Sequence, residues 1–286
     1  MSKKVLIACD STSDLSCDLL ERYGIKVLPL GITLGAQQYK DGVDITPKDI
    51  FSHFEKTGEL PKTSAVNIGE FSDFFARYTA EGYAVVLFTI SAELSSTYQN
   101  ACLAAAEFED VHVVDTRNLC NGGGLLVLAG CDMAKAGRSA ADIAEACRAL
   151  AARVDVSFVI DSLEFLHKGG RCSALAALGA NLLHLKPSIV VRDGKMSLGK
   201  KYRGSYESVL SQYINDRLAD DASLDRSRIF ITHAGLDEAI YRKCVDQVQN
   251  LASFDEVICS DAGCTISSHC GKNAFSLMFL RKDDIA

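Results

Sequence analysis

The run Ala84-Val85-Val86-Leu87-Phe88-Thr89, followed at once by Ile90-Ser91-Ala92-Glu93-Leu94-Ser95-Ser96-Thr97-Tyr98-Gln99, most narrows what this chain can fold into. A short, uninterrupted apolar run is how a strand buried on both faces of a parallel sheet reads. The Ala-rich segment from Asn100 to Phe108 favours helix. Hydroxyl side chains and unpaired backbone N–H groups therefore gather where a strand ends and a helix begins. Such a helix start suits an anion, because the free N–H groups and the dipole both favour negative charge. The plainer alternative is that Ser91 or Ser95 only caps the helix and binds nothing.

The same alternation runs along the rest of the chain. Val5 to Cys9 reads as a strand ending in Asp10-Ser11-Thr12-Ser13-Asp14-Leu15, which opens a helix stopped by Gly24. Ile25 to Leu30 is the next strand and Tyr39 to Ile45 a loop. Thr46-Pro47 starts a helix with Pro in its first turn. Leu60 to Ala65 is a second hydroxyl-bearing loop, and Gly69 leads into a helix carrying Phe71, Phe74 and Phe75. After the strand Val111 to Val114, Asn121-Gly122-Gly123-Gly124 introduces the helix Leu125 to Lys135. The spacing of that glycine run departs from G-x-G-x-x-G, so it is read as a tight turn with close helix packing. Ser139 caps the helix Ala140 to Ala152.

In the second half, Val156 to Ile160 is a strand, Leu163 to Ser173 a basic loop, and Ala174 to Leu183 a helix. Pro187 to Val191 and Lys195 to Leu198 flank Asp193-Gly194 as a hairpin. The helix Tyr206 to Leu218, the strand Ile229 to Thr232 and the helix Asp237 to Leu251 follow. Strands Glu256 to Cys259 and Phe275 to Leu280 enclose a Ser-rich loop, Thr265 to Gly271. This is an α/β chain with largely parallel sheets, expected as two domains, 1–155 and 156–286.

A formal charge of −7, with no basic run longer than Arg281-Lys282, gives no support to nucleic acid as a partner. The apolar part of Val5 to Asp10 is too short for a signal segment, and no stretch approaches the ~18 apolar residues of a membrane span. A cytoplasmic protein is expected. The 11 cysteines are odd in number and form no C-x-x-C pair, which fits a reduced compartment. Cys259, Cys264, His269 and Cys270 lie close in sequence, but their spacing matches no common zinc pattern, so no metal is expected.

Ligands of open α/β sheets bind beyond the carboxyl ends of the strands. The hydroxyl turns at Ser11 and Thr12, at Thr63 and Ser64, and at Ser95 to Thr97 could therefore converge. Hydroxyls are poor nucleophiles without an activating base, yet good donors to a carboxylate or phosphate oxygen. His269 could pair with a Ser, though no G-x-S-x-G elbow is present. It could equally be a structural histidine. Arg171 could bind phosphate or simply be solvated. No G-x-x-x-x-G-K-[ST] loop supplies ATP-binding chemistry.

Taken together, Asp10 to Leu15, the Tyr39/Asp41/Asp44/Ile45 pattern, Pro61 to Ser64, Leu94 to Gln99, Lys168 to Ser173, Arg203-Gly204, His233 to Gly235 and His269 to Gly271 resemble, in order, the motifs of the DegV family. The resemblance covers nearly the whole chain. It implies two α/β domains with a fatty acid in a deep apolar tunnel between and within them. It also implies that Thr63, Ser64, Ser95, Ser96 and His269 surround the carboxylate. The bound fatty acid would be the ligand, with no further cofactor. By the same analogy the protein is a carrier, not an enzyme. It would present a long-chain fatty acid to the ATP-binding subunit of a fatty acid kinase for acyl phosphate formation, feeding phospholipid metabolism. Arg171 and Arg203 would contact the kinase or the phosphate, with transient contact at a membrane surface. Two alternatives remain open: a stand-alone acyl or phosphoryl-transfer enzyme using His269 and a nearby Ser, and a lipid reservoir without a kinase. The chain departs from the family pattern at Ser96, where the family has Gly, and at Lys272-Asn273 in the last loop, where Lys272 could meet the acyl carboxylate or face solvent.

Overall fold

In the computed structural model, residues 3–173, 186–219 and 221–282 are described. The helix expected over Ala174 to Leu183 lies outside the described residues.

The first sheet is built from β1 (Lys4–Asp10), β2 (Lys26–Leu28), β6 (Tyr83–Thr89) and β7 (Val111–Asp115), in the order β2-β1-β6-β7 and parallel throughout. Its central strands are buried on both faces, as the apolar run demands. Leu6, Ala8, Val85 and Leu87 point to one side, where Phe71, Phe75 and Ala101 cover them from α3 (Ile68–Ala80) and α4 (Thr97–Ala105). Ile7, Cys9, Val86 and Phe88 point to the other, against α5 (Asn121–Lys135) and α6 (Ala140–Leu150). A period of two along each strand feeds both cores at once.

Next to this sheet, β3 (Gly31–Leu34), β4 (Gln37–Lys40) and β5 (Lys62–Ser64) form a small antiparallel sheet in the order β4-β3-β5. The helices α1 (Cys17–Tyr23) and α2 (Pro47–Thr57) complete this half. The opening helix starts later than the sequence suggests. Ser11–Ser13 is a single 3-10 turn, Asp14 turns left-handed at φ 49°, and Ser16 caps α1.

The second sheet departs from the expected parallel pairing. It comprises β8 (Val154–Val159), β9 (Lys186–Arg192), β10 (Lys195–Tyr202), β11 (Leu224–Ala234), β12 (Glu256–Asp261) and β13 (Ala274–Arg281), in the order β10-β9-β8-β13-β11-β12. Only β11 and β12 pair in parallel; the other four pairings are antiparallel. The hairpin puts β9 beside β10, and the final strand inserts between β8 and β11, so neither step needs a right-handed crossover. Outside this sheet, α8 (Tyr206–Leu218) and α9 (Glu238–Leu251) bury Tyr213, Ile214 and Val248 against Ile229, Phe275 and Phe279. Two segments expected as loops are short helices: α7 (Glu164–Gly169) and α10 (Cys264–Cys270).

Helix α5 lies between the two sheets and packs against β1 and β6 on one side and β8, β11 and β13 on the other. The three glycines fall inside its first turn, not ahead of it. A Cβ at Gly122 would collide with Val156, and one at Gly124 would lie 3.1 Å from the Ser13 carbonyl oxygen. Close approach, not a turn, is what they provide. Asn121, at the same end, is fully buried. Its Nδ2 donates to the Ser13 and Asp14 carbonyls at 3.0 and 2.9 Å, and its Oδ1 accepts from Thr232 and Ser260, both at 2.7 Å. One amide thus ties the first turn of the chain to the second sheet. Asn121→Ala should lower the unfolding free energy by about 2–4 kcal/mol, because four buried polar groups lose a partner. Urea denaturation checks this, and a loss under about 0.5 kcal/mol would reject the tie.

Candidate functional site

Strand β5 pairs with β3 so that Thr63 stands opposite Ile32, which fixes the side on which its hydroxyl projects. Thr63 Oγ1 lies 2.9 Å from His269 Nε2, a bond across 206 positions of sequence. His269 sits in the last turn of α10. That helix has no cap of its own, since Gly263 has no side chain, and Asp41 serves instead. Its Oδ1 accepts from the Cys264 N–H at 2.9 Å and its Oδ2 from the Thr265 N–H at 3.1 Å. Ser11 Oγ donates to the same carboxylate at 2.9 Å and accepts from the Leu30 N–H at 3.1 Å. A carboxylate at a helix N-terminus is favoured by free N–H groups and dipole alike. Asp41 therefore orients His269 although it never touches it.

The loop between β6 and α4 is held from three directions. Asp10 Oδ2 accepts from the Ile90 N–H at 2.7 Å, Ser91 Oγ donates to the Gly194 carbonyl at 2.8 Å, and the Ser91 N–H donates to the Asn118 carbonyl at 2.9 Å. Ser95 Oγ accepts from the Thr97 N–H at 3.2 Å and lies 2.9 Å from Thr97 Oγ1. Ser95 Oγ thus satisfies the first N–H of α4 from the position ahead of the N-cap, Ser96, whose own side chain makes no cap bond. With Thr97 as donor, the Ser95 hydrogen is free to point outward. Ser96 has φ −74°, a value any residue adopts, so the family's glycine is not needed there.

These hydroxyls converge. Thr63, Ser64, Ser95, Ser96, Arg171 and His269 all line one cleft of about 310 Å³. Behind it lies an apolar cavity of about 50 Å³ that shares Leu119, Met196, Ile266 and His269 with the cleft and reaches Phe158 and Met278. Ser64, Ser96 and Arg171 are exposed at the mouth, whereas Thr63 and Ser95 are half-buried. Arg203 does not join them: it is exposed ahead of α8 and outside the cleft. Lys272 is also elsewhere, paired with Glu55 at 3.2 Å.

Burial, reinforced by the charge of Arg171, lowers the His269 pKa to about 4, so the ring is neutral at physiological pH. Its Nδ1 is buried without a partner among the described residues, and a Cβ on Gly169 would sit 2.6 Å from that atom. An orphaned N–H is rarer in native structures than an under-satisfied acceptor. We therefore assign the hydrogen to Nε2, which donates to Thr63 Oγ1 and leaves the Thr63 hydroxyl hydrogen free for a ligand oxygen. Arg171 Nη1 donates to the Gly169 carbonyl at 2.8 Å, keeping a cation beside the mouth. Such a cleft offers donors to an oxyanion and no evident acid or nucleophile.

Among the described residues no three His, Cys, Asp or Glu side chains form a group able to hold a metal. Cys259 is exposed on β12, while Cys264 and Cys270 are buried on α10. No helix among the described residues is long and apolar enough to cross a membrane.

The chain matches the sequence model of the DegV protein family over residues 4–282. It is 31% identical over 284 residues to a DegV domain-containing protein of Clostridium acetobutylicum, spanning 98% of this chain and 99% of that one. The fold matches that of a DegV family protein from Thermus thermophilus reported for its fatty acid binding. There the TM-score is 0.87 and the identity 30%, over 98% of this chain and 100% of the other. A stearic-acid-binding protein from Eubacterium ventriosum matches with TM-score 0.84 and 26% identity, over 99% of each chain.

The lowered pKa of His269 has a consequence for stability. Between pH ~6.5 and ~4 the unfolded histidine takes a proton that the folded one refuses, so this residue's contribution falls as the pH falls. The stability advantage of the wild type over His269→Asn should shrink by up to about 2 kcal/mol between pH ~7.5 and ~5. Paired urea titrations at both pH values measure it, and a constant advantage would mean the imidazole is not held neutral.

Proposed function

The chain belongs to the DegV family, and we propose that it binds a long-chain fatty acid and presents the carboxylate to a separate ATP-dependent kinase for acyl phosphate formation. The carrying observation is the Thr63–His269 pair at the junction of a hydroxyl-lined cleft and an apolar cavity. Thr63 and Ser95 each hold a donor hydrogen toward the cleft, which suits the two oxygens of a carboxylate. The tail runs past Leu119 and Met196 into the apolar cavity. Met196 and Met278, unbranched and deformable, are suited to widen it around an acyl chain.

Energetically the two ends do different work. About fifteen buried methylenes at ~0.8 kcal/mol each supply ~12 kcal/mol before ordering costs, against ~1 kcal/mol for each net hydrogen bond. The tail sets affinity and the hydroxyls set which end faces out. In this reading residues 1–155 supply the carboxylate hydroxyls and residues 156–286 supply His269, most of the tail cavity and Arg171. Arg171, exposed at the mouth, is placed to meet an incoming phosphoryl group, while Arg203 is left to contact the kinase surface. The setting is cytoplasmic, and the acyl phosphate enters phospholipid metabolism.

A stand-alone hydrolase or transferase is disfavoured on chemical grounds. A base with a pKa near 4 is poorly matched to reaction at neutral pH. Its second nitrogen has no carboxylate to orient it, and its hydroxyl neighbour is a threonine engaged as acceptor. The lipid-reservoir reading differs only in lacking a kinase, and co-purification of an ATP-binding protein separates the two.

Solvent extraction of purified protein followed by mass spectrometry should yield a fatty acid in stoichiometric amount. Thr63→Val and Ser95→Ala should each weaken acyl phosphate formation by about tenfold with the fold intact. Unchanged turnover in both variants would dismiss the headgroup assignment even if lipid is found.

A further inference from the structure

Next in sequence to Gly194, whose carbonyl holds Ser91, Asp193 lines a second cleft of about 460 Å³. Five arginines line it, Arg117, Arg153, Arg192, Arg217 and Arg281, against two wall carboxylates, Asp155 and Asp193. This is a local excess of positive charge on a chain whose formal charge is −7. Nothing in the fatty-acid reading uses it.

Three of the guanidiniums are fixed from behind. Arg217 and Arg281 bracket Asp155, with Arg281 Nε at 2.7 Å, and Arg281 also reaches Asp221. Arg153 Nε donates to the Arg281 carbonyl at 2.7 Å, and its Nη2 lies 3.3 Å from Asp225. Of their carboxylate partners, Asp155 is shared by two of these cations, while Asp221 pairs with Arg281 and Asp225 with Arg153. Arg217 Nε is buried and has no acceptor among the described residues. The other two arginines remain available. Arg192 is exposed and has no ion pair among the described residues. Among the described residues the Arg117 guanidinium pairs with Asp193 at 2.9 Å, and that carboxylate is 87% exposed, so the pair is weak and open to exchange.

We propose that this cleft binds the phosphate oxygens of a small phosphorylated molecule, with Arg192 and Arg117 as the exchangeable forks and Arg153, Arg217 and Arg281 as the rigid wall. Guanidinium forks match phosphate oxygens bidentately, and forks already held by carboxylates lose little freedom on binding. The wall guanidiniums Arg153, Arg217 and Arg281 are balanced by Asp155, Asp221 and Asp225, so the pull on an anion comes from Arg192 and the exchangeable Arg117. The recessed shape fits a soluble phosphate compound better than a flat membrane.

The proposal stands apart from the fatty-acid reading, and its test does not depend on lipid. The full chain is titrated calorimetrically with inorganic phosphate and with pyrophosphate, and floated with phosphatidylglycerol vesicles, at low salt and at ~0.15 M salt. Saturable pyrophosphate binding is expected, weaker at the higher salt and reduced at least ~tenfold in both Arg192→Ala and Arg117→Ala. Arg226→Ala, exposed on β11 and outside the cleft, should bind as wild type does. Flotation with vesicles that is lost in Arg192→Ala would assign the same forks to a lipid phosphate headgroup. No saturable binding to any of the three probes, or binding by Arg192→Ala and Arg117→Ala equal to wild type, overturns the proposal.

Discussion

The buried amide of Asn121 is the contact on which the remaining geometry depends. Both of its donors and both of its acceptor positions are used, and they join the Ser13-Asp14 turn to Thr232 on β11 and Ser260 on β12. A fully satisfied buried network specifies one arrangement, because any slippage strands a polar group in an apolar surrounding. The arrangement matters because the cleft is made of parts from distant places. Asp10 at the end of β1 holds the Ser95 loop, Asp41 holds the helix of His269, and Thr63 meets His269 only when both halves are docked on α5.

That dependence explains how much of the molecule the sequence reveals. The first sheet is legible because a strand buried on both faces must be apolar throughout, and Ala84 to Phe88 is. The hydroxyl loops are legible one by one, and their place beyond strand ends follows from the rule for open sheets. Helix α10 is not. Thr265, Ser267, Ser268 and His269 are indifferent helix formers, Gly263 offers no cap, and the acceptor that starts the helix is Asp41, 223 positions earlier. The second sheet fails for another reason. Strand and helix alternate in the same way whether the next strand lies parallel beside the last or returns antiparallel between two others. Insertion of β13 between β8 and β11 has no local signature.

Asp41 is the site residue that sequence reasoning passed over, because it was part of a segment read as a loop. The sequence marks it as part of the Tyr39/Asp41/Asp44/Ile45 pattern and as an acidic residue beside Gly42, which is usually satisfied by a local turn and does not point to a distant helix. In the fold, Asp44 does that local work by accepting from the Lys40 N–H, which leaves Asp41 free to cap a distant helix.

Buried polar atoms without a partner among the described residues occur at this site. Among the described residues, Thr265 Oγ1 and His269 Nδ1 are buried and unpaired. Burial raises the Asp14 pKa well above the usual carboxylate range. Asp10, at about 6, is pushed the same way despite its hydrogen bonds. Burial thus disfavours the ionised forms of Asp14 and Asp10 and holds the His269 imidazole neutral behind the cleft. An apolar chain entering past His269 meets a neutral imidazole, while Arg171, a cation on the cleft lining, stays at the mouth where a carboxylate or phosphoryl group would need it. Charge at the rim and neutrality within is the condition under which one cleft can hold both ends of an amphipathic acid.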